Sequence, residues 1–170
     1  MREQHPSIVH PSADSSAPSP RPTITTRATW AGEHRFVTGR PEGPTALFDG
    51  AARAAQNPVD ALVSALASCV AIDLVDILAK RRTPVARLVV DAHAERRATH
   101  PRRLERVTLT FRVDGEGIEI EHTERGVALA LEKYCSVAAS LAPDIVMETI
   151  VVANGVSGSR VHHSGSGGGA

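Results

Sequence analysis

The chain has 170 residues, enough for one domain of ordinary size plus tails. Its 19 basic and 19 acidic residues give a formal net charge of zero, which argues against general nucleic-acid or anionic-membrane binding, since both need a positive field. Hydrophobic residues make up 42% but aromatics only 3%, so the core has to be built from Val, Leu, Ile and Ala. No N-terminal apolar stretch reads as a signal peptide. The longest apolar run, Ala61–Ile72, is too short for a bilayer span and is followed by Asp73 and Asp76. Two cysteines, 66 positions apart in a chain with no export signal, point to a reducing compartment, the cytoplasm, and to thiols with a chemical or packing role.

Residues 1–22, rich in Ser, Pro and Ala, read as a disordered leader ahead of a domain spanning 23–153. Thr23 to Ala31 and His34 to Thr38 read as strands around Trp30 and Phe36, with a turn at Gly32. A second turn at Gly43-Pro44 precedes a short strand, Ala46-Leu47-Phe48. Asn57 then reads as a helix N-cap, Pro58 as the first helical residue and Asp60 as a first-turn acid on the positive end of the dipole. From Ala61 to Ile72 only Ser64 and Ser68 are polar, so this helix is expected to be buried on most faces, and to end near Lys80 before Pro84.

Leu88, Val90, Ala92 and Ala94 alternate with Val89, Asp91, His93 and Glu95, the pattern of a strand. After a turn near Pro101, Val107, Leu109, Phe111 and Val113 alternate in the same way, so the two runs predict a hairpin, closed by Asp114-Gly115-Glu116-Gly117. A second helix is predicted over Thr123 to Leu141, with Val127, Leu131, Tyr134, Val137 and Leu141 on one face and Pro143 as the stop. Ile145 to Val152 is the last predicted strand. Residues 154–170 read as a flexible Gly/Ser-rich tail in which His162 and His163 are incidental.

Both cysteines fall on the predicted helices, each in mid-helix. Ala65, Ala138 and Ala139 near them would let the two axes approach, and a disulfide needs Cα atoms within about 7 Å. Two readings stay open from spacing alone: a redox pair, or two small buried hydrophobes.

The stretches Asn57-Pro58 … Ala67-Ser68-Cys69-Val70-Ala71-Ile72-Asp73-Leu74-Val75 and Glu132-Lys133-Tyr134-Cys135-Ser136-Val137 resemble the OsmC/Ohr family, the osmotically induced and organic hydroperoxide resistance proteins. Ala-Ile-Asp after the first cysteine, Glu-Lys-Tyr-Cys-Ser-Val around the second, and Glu95-Arg96-Arg97 are similar to its less characterised OsmC-like branch. The resemblance implies an α+β fold in which sheets wrap two central helices of an intertwined homodimer, with sites at the subunit interface. It also implies thiol-dependent reduction of organic hydroperoxides, with Cys69 peroxidatic, Cys135 resolving, and a dithiol of lipoyl type or another dithiol as electron donor.

A thiol of pKa about 8.5 is only a few per cent thiolate near neutrality, and Cys69 lies beyond the first helical turn, so a cation has to help it. In the peroxidase branches an early-strand arginine does so, held by a first-turn glutamate. Arg35 is the best match here, ahead of Arg27 and Arg40. The glutamate position holds Val59, and Asp60 stands next to it, able either to hold Arg35 or simply to stabilise the helix start. Asp73, at i+4 from Cys69, would raise the thiol pKa unless neutralised, and is expected to pair with an arginine or cap a loop. The departure at Val59 favours an alternative: a non-catalytic redox-responsive or small-ligand-binding protein.

Arg96, Arg97, Arg102, Arg103 and Arg106 crowd the hairpin tip but alternate with Glu95 and Glu105, the pattern of a solvated hairpin. His93, His100 and His122 are scattered, and no pair has zinc-ligand spacing. There is no Gly-rich phosphate loop or G-x-S-x-G elbow, so neither metal nor cofactor is expected.

Overall fold

The computed structural model describes residues 21–163, so most of the predicted leader and the end of the Gly/Ser tail lie outside the described residues. Two antiparallel hairpin connections build the first sheet from β1 (Arg27–Trp30), β2 (Arg35–Gly39) and β3 (Thr45–Asp49), in the order β1-β2-β3. Gly32 makes the first turn at φ +93°, a conformation L side chains rarely adopt. This sheet is largely open on the single chain, with Trp30, Phe36 and Leu47 exposed.

Helix α1 (Pro58–Lys80) begins where its cap dictates. Asn57 Oδ1 accepts the N–H groups of Val59 and Asp60 at 2.9 and 3.0 Å, an interaction worth about 1 kcal/mol. Leu66, Ala67, Val70, Leu74 and Leu78 face the core. The expectation of burial on most faces is not met, because Leu62, Ile72 and Val75 face solvent, Ile72 at 64% exposure. The helix also outruns the Ala61–Ile72 stretch: its 23 residues are long and apolar enough, by length and composition only, to cross a membrane. It packs instead against β4, α2 and the elements that follow.

The second sheet starts with the predicted hairpin, β4 (Arg87–Arg96) and β5 (Leu104–Asp114), whose register pairs Val90 with Phe111 and Ala92 with Leu109. The hairpin arginines turn back onto neighbouring backbone and carboxylates. Arg96 Nε donates to the Arg102 carbonyl, Arg97 Nη2 to that of Pro101, and Arg103 pairs with Asp144. From β5 the chain crosses over through helices and returns as β6 (Val146–Ala153), parallel to β5.

That crossover differs from the predicted single helix. Helix α2 (Ile120–Leu129) runs into a π-helical turn (Ala130–Tyr134), Cys135 is extended, and a short α3 (Ser136–Ala139) follows. The wider π turn shifts its own last residue about the axis as well as those that follow, and Tyr134, expected on the apolar face, is 56% exposed. Gly126 sets the closeness of α1 and α2, since a Cβ there would lie 2.8 Å from Leu74 Cδ1. Phe111, Leu74, Val127 and Val151 belong to the core between this helical layer and the sheet.

The domain continues past residue 153, where the sequence reads as tail. β7 (Val156–Ser157) and β8 (Val161–His163) both pair antiparallel with β6. Glu148, the one charged residue of β6 and only 2% exposed, pairs in register with His162 of β8. It is met by Arg106, by Arg160 Nη1 at 2.7 Å, by Thr108 Oγ1 at 3.1 Å and by His162 Nδ1 at 3.1 Å. His163 Nε2 lies 2.8 Å from Thr149 Oγ1. The two histidines are therefore part of a clasp.

Burial alone would raise the Glu148 carboxyl, but the bonds from Arg160 and Thr108 and the charges of Arg106 and Arg160 hold it below the usual carboxylate range. Burial holds the His163 imidazole below its usual range, with Glu132 opposing and His162 adding. Both groups bind fewer protons folded than unfolded, so across the acid window the contribution of His163 is lost as the pH falls below about 6.5 and that of Glu148 only as it falls below about 4.5. Amide exchange at Val161 to His163, corrected for intrinsic rates, is expected to speed up in that window relative to β5. A constant ratio would count against the clasp.

Candidate functional site

Cys69 sits in the middle of α1, half-buried, and Cys135 occupies the break after the π turn, 2% exposed. Both are free thiols. The break makes Cys135 the N-cap of α3, its Sγ accepting the Ala138 N–H at 3.3 Å, where the sequence predicts a mid-helix position. α3 packs on α1, and the Cys69 thiol faces Cys135 closely enough to act on its titration.

Burial, the largest cause, pushes the Cys135 thiol up to about 11; hydrogen bonding and charge from Cys69 push the same way, and the N–H groups of Ala138 and Val137 pull against them. Cys135 therefore keeps its proton at neutral pH. An unfolded cysteine titrates near pH 8.5, so folding stability is expected to fall by about 1–3 kcal/mol as the pH rises from about 8.5 to 11. Urea unfolding of wild type and Cys135→Ala at pH 8 and pH 11 reads this as a difference. Parallel losses in both would show that another group carries the slope.

The other two predicted site residues lie elsewhere on the single chain. Nine residues at 100° each put Asp60 on the opposite face of α1 from Cys69, about 13 Å along the axis. Its Oδ2 accepts a hydrogen bond from Asn57 Nδ2 at 2.7 Å, so Asp60 serves the helix start. Arg35 is on β2, 3.4 Å from Glu33 Oε2, with its Nε buried and without a hydrogen-bond partner among the described residues. Asp73 Oδ2 is likewise buried and without a partner among them, so the expected arginine pairing is not seen there.

Asp60 lines a cleft of about 810 Å³ between α1 and β4, floored by Val59, Val63, Leu88 and Val90, with Gln56, Ser64 and Arg96 among its polar walls. Asp49, a 5% exposed carboxylate at the end of β3 that pairs in register with Arg35, is a site residue the sequence does not single out. Its one local signal, Asp49-Gly50 after an apolar strand, reads as an ordinary turn. Among the described residues no group of three or more His, Cys, Asp or Glu side chains is placed to hold a metal ion.

Two facing thiols on a helical layer, backed by a mixed sheet with a parallel crossover, define an α+β protein with a candidate dithiol site. A sequence model described as OsmC-like protein matches residues 50–150. Protein YhfA of Escherichia coli K12 is 35% identical over 116 residues, covering 68% of this chain and 87% of that protein. The OsmC-like protein of Mycoplasma pneumoniae superimposes with a TM-score of 0.67 at 11% identity, over 78% of this chain and 97% of that one. The organic hydroperoxide resistance protein OsmC of Legionella pneumophila gives 0.56 at 15% identity, over 77% and 98%. The chain belongs to the OsmC family.

Proposed function

We propose that the protein reduces organic hydroperoxides through its two thiols. The observation that carries the reading is that two free thiols stand on packed helices, Cys69 in mid-α1 and Cys135 at the head of α3. The Cys69 thiolate attacks one oxygen of the peroxide; the S–O bond forms, the O–O bond breaks, and the alkoxide leaves and is protonated to the alcohol. Cys135 then attacks the sulfenic sulfur. The S–S bond forms, the S–O bond breaks, and hydroxide leaves with the Cys135 proton as water. A dithiol donor, of lipoyl or similar type, returns two electrons and two protons. The organic hydroperoxide resistance protein of Legionella pneumophila, similar in fold, supports this class of substrate.

The working form in this reading is an intertwined homodimer in the cytoplasm. The apolar outer face of α1, with Leu62, Ile72 and Val75, and the open first sheet are what a second copy would cover. Arg35 stands on β2 and Asp60 is committed to the α1 cap, so in this reading the cation beside Cys69 is Arg35 from the other copy. A second reading, a redox-responsive or small-ligand-binding protein, draws on the α1–β4 cleft and on the commitment of Asp60 to its cap.

The test is hydroperoxide consumption by the reduced protein under excess dithiol, with cumene hydroperoxide and hydrogen peroxide compared. Turnover faster with the organic peroxide is expected. A rate equal to the protein-free control for both would end the peroxidase reading and leave the ligand-binding one.

A further inference from the structure

Arg35 needs a carboxylate to orient it, and the family's first-turn position on α1 holds Val59 here. The neighbouring Asp60 is bonded to Asn57. The acid that faces Arg35 is on another element. Asp49 is its cross-strand partner in the β2–β3 register, a position that places side chains about 5 Å apart at Cβ on one face of the sheet.

Asp49 is built to stay in place and stay charged. Its Oδ1 accepts the Ala51 N–H at 2.9 Å, and its Oδ2 accepts those of Arg53 at 3.0 Å and Ala54 at 2.9 Å. The Ala54 and Ala51 bonds do most to hold the carboxyl below the usual range; burial opposes them, and Arg53 and the Arg35 charge add to them. With three backbone N–H groups on its two oxygens, Asp49 attracts Arg35 by charge and leaves the guanidinium donors free. Arg35 Nε, buried and without an acceptor among the described residues, is such a donor. Glu33, the other acid near Arg35, is exposed and stands at 3.4 Å, too solvated to fix an orientation.

We propose that Asp49 is the positioning residue for Arg35, taking from the end of β3 the role that a first-turn carboxylate of the cysteine helix would otherwise fill. This rests on the reading that Arg35 serves the Cys69 thiolate. The backbone-anchored loop that follows Asp49 ties Arg35 to the start of α1, because Asp49 N–H also donates to the Gln56 carbonyl at 3.0 Å, one residue before the Asn57 cap.

The experiment is a double-mutant cycle on the second-order rate of Cys69 oxidation by cumene hydroperoxide, with the pH profile of Cys69 alkylation read alongside. Asp49→Asn and Arg35→Ala are each expected to slow oxidation about tenfold and to move the alkylation profile about one pH unit upward. In the Arg35→Ala background, Asp49→Asn is expected to add nothing. An equal slowing in both backgrounds means that Asp49 only supports its loop, and overturns the proposal. If Arg35→Ala slows oxidation but Asp49→Asn does not, the proposal alone fails. If Arg35→Ala has no effect, the assignment of Arg35 fails and the proposal with it.

Because Asp49→Asn removes an acceptor from a loop and could unfold it, a second measurement leaves Asp49 intact. The carboxyl pKa of Asp49, followed by NMR, is expected to rise on Arg35→Ala. An unchanged value would show that the two charges do not face each other, and overturns the proposal.

Discussion

Replacing Cys69 with serine is expected to bring hydroperoxide consumption down to the protein-free rate, a loss of at least about 10³-fold if the wild type turns over as an enzyme. A serine hydroxyl is not ionised at neutral pH, so the nucleophile is removed while the volume and the α1 packing are nearly kept. Replacing Cys135 leaves a different signature. The first oxidation of Cys69 proceeds, and the protein stops after one oxidising equivalent as a sulfenic acid that dimedone traps, because the second bond-forming step has lost its thiol. The π turn is what makes this step plausible in space, since it places Cys135 at a break facing α1. Equal activity in wild type and Cys69→Ser would sink the thiol mechanism. Continued turnover of Cys135→Ser would assign resolution to the external dithiol.

Phe111→Ala is expected to cost about 3–5 kcal/mol, a large share of the roughly 5–15 kcal/mol by which domains of this size are stable. Phe111 is the largest fully buried side chain in a core that otherwise relies on aliphatic residues. It stands on β5, between its partners Val90 on β4 and Val151 on β6, so the cavity opens where three strands meet the helical layer. The thermal midpoint should fall by about 6–20 °C. Phe111→Leu, which keeps most of the volume, should cost much less. A loss below about 1 kcal/mol for the alanine variant would show that the core is not centred on β5.

Where a feature depended on neighbours in the chain, it was legible in advance. The start of α1 at Asn57-Pro58 and its end by Lys80 follow from a cap, a proline and last-turn bases, all local. The β4–β5 hairpin follows from alternation, which the pleat of a strand converts directly into two faces. The motifs around Cys69 and Cys135 carried the family.

Partners distant in sequence were not legible. The π turn before Cys135 packs against α1, and nothing in Glu132-Lys133-Tyr134 announces an extra residue. Strand β8 and the residue before it bring His162 and Arg160 to the buried Glu148, and a lone glutamate in a mostly apolar run signals the need for partners without naming them. Arg35 could be nominated as a cation from its early-strand position, but that it faces Asp49 depends on the β2–β3 register. Sequence alone determined the elements whose free energy is local: caps, turns and alternating faces. The tertiary structure decided which charges meet and which thiol lies at a break, because burying a charge or an acceptor is tolerable only where a partner from elsewhere in the chain is already in place.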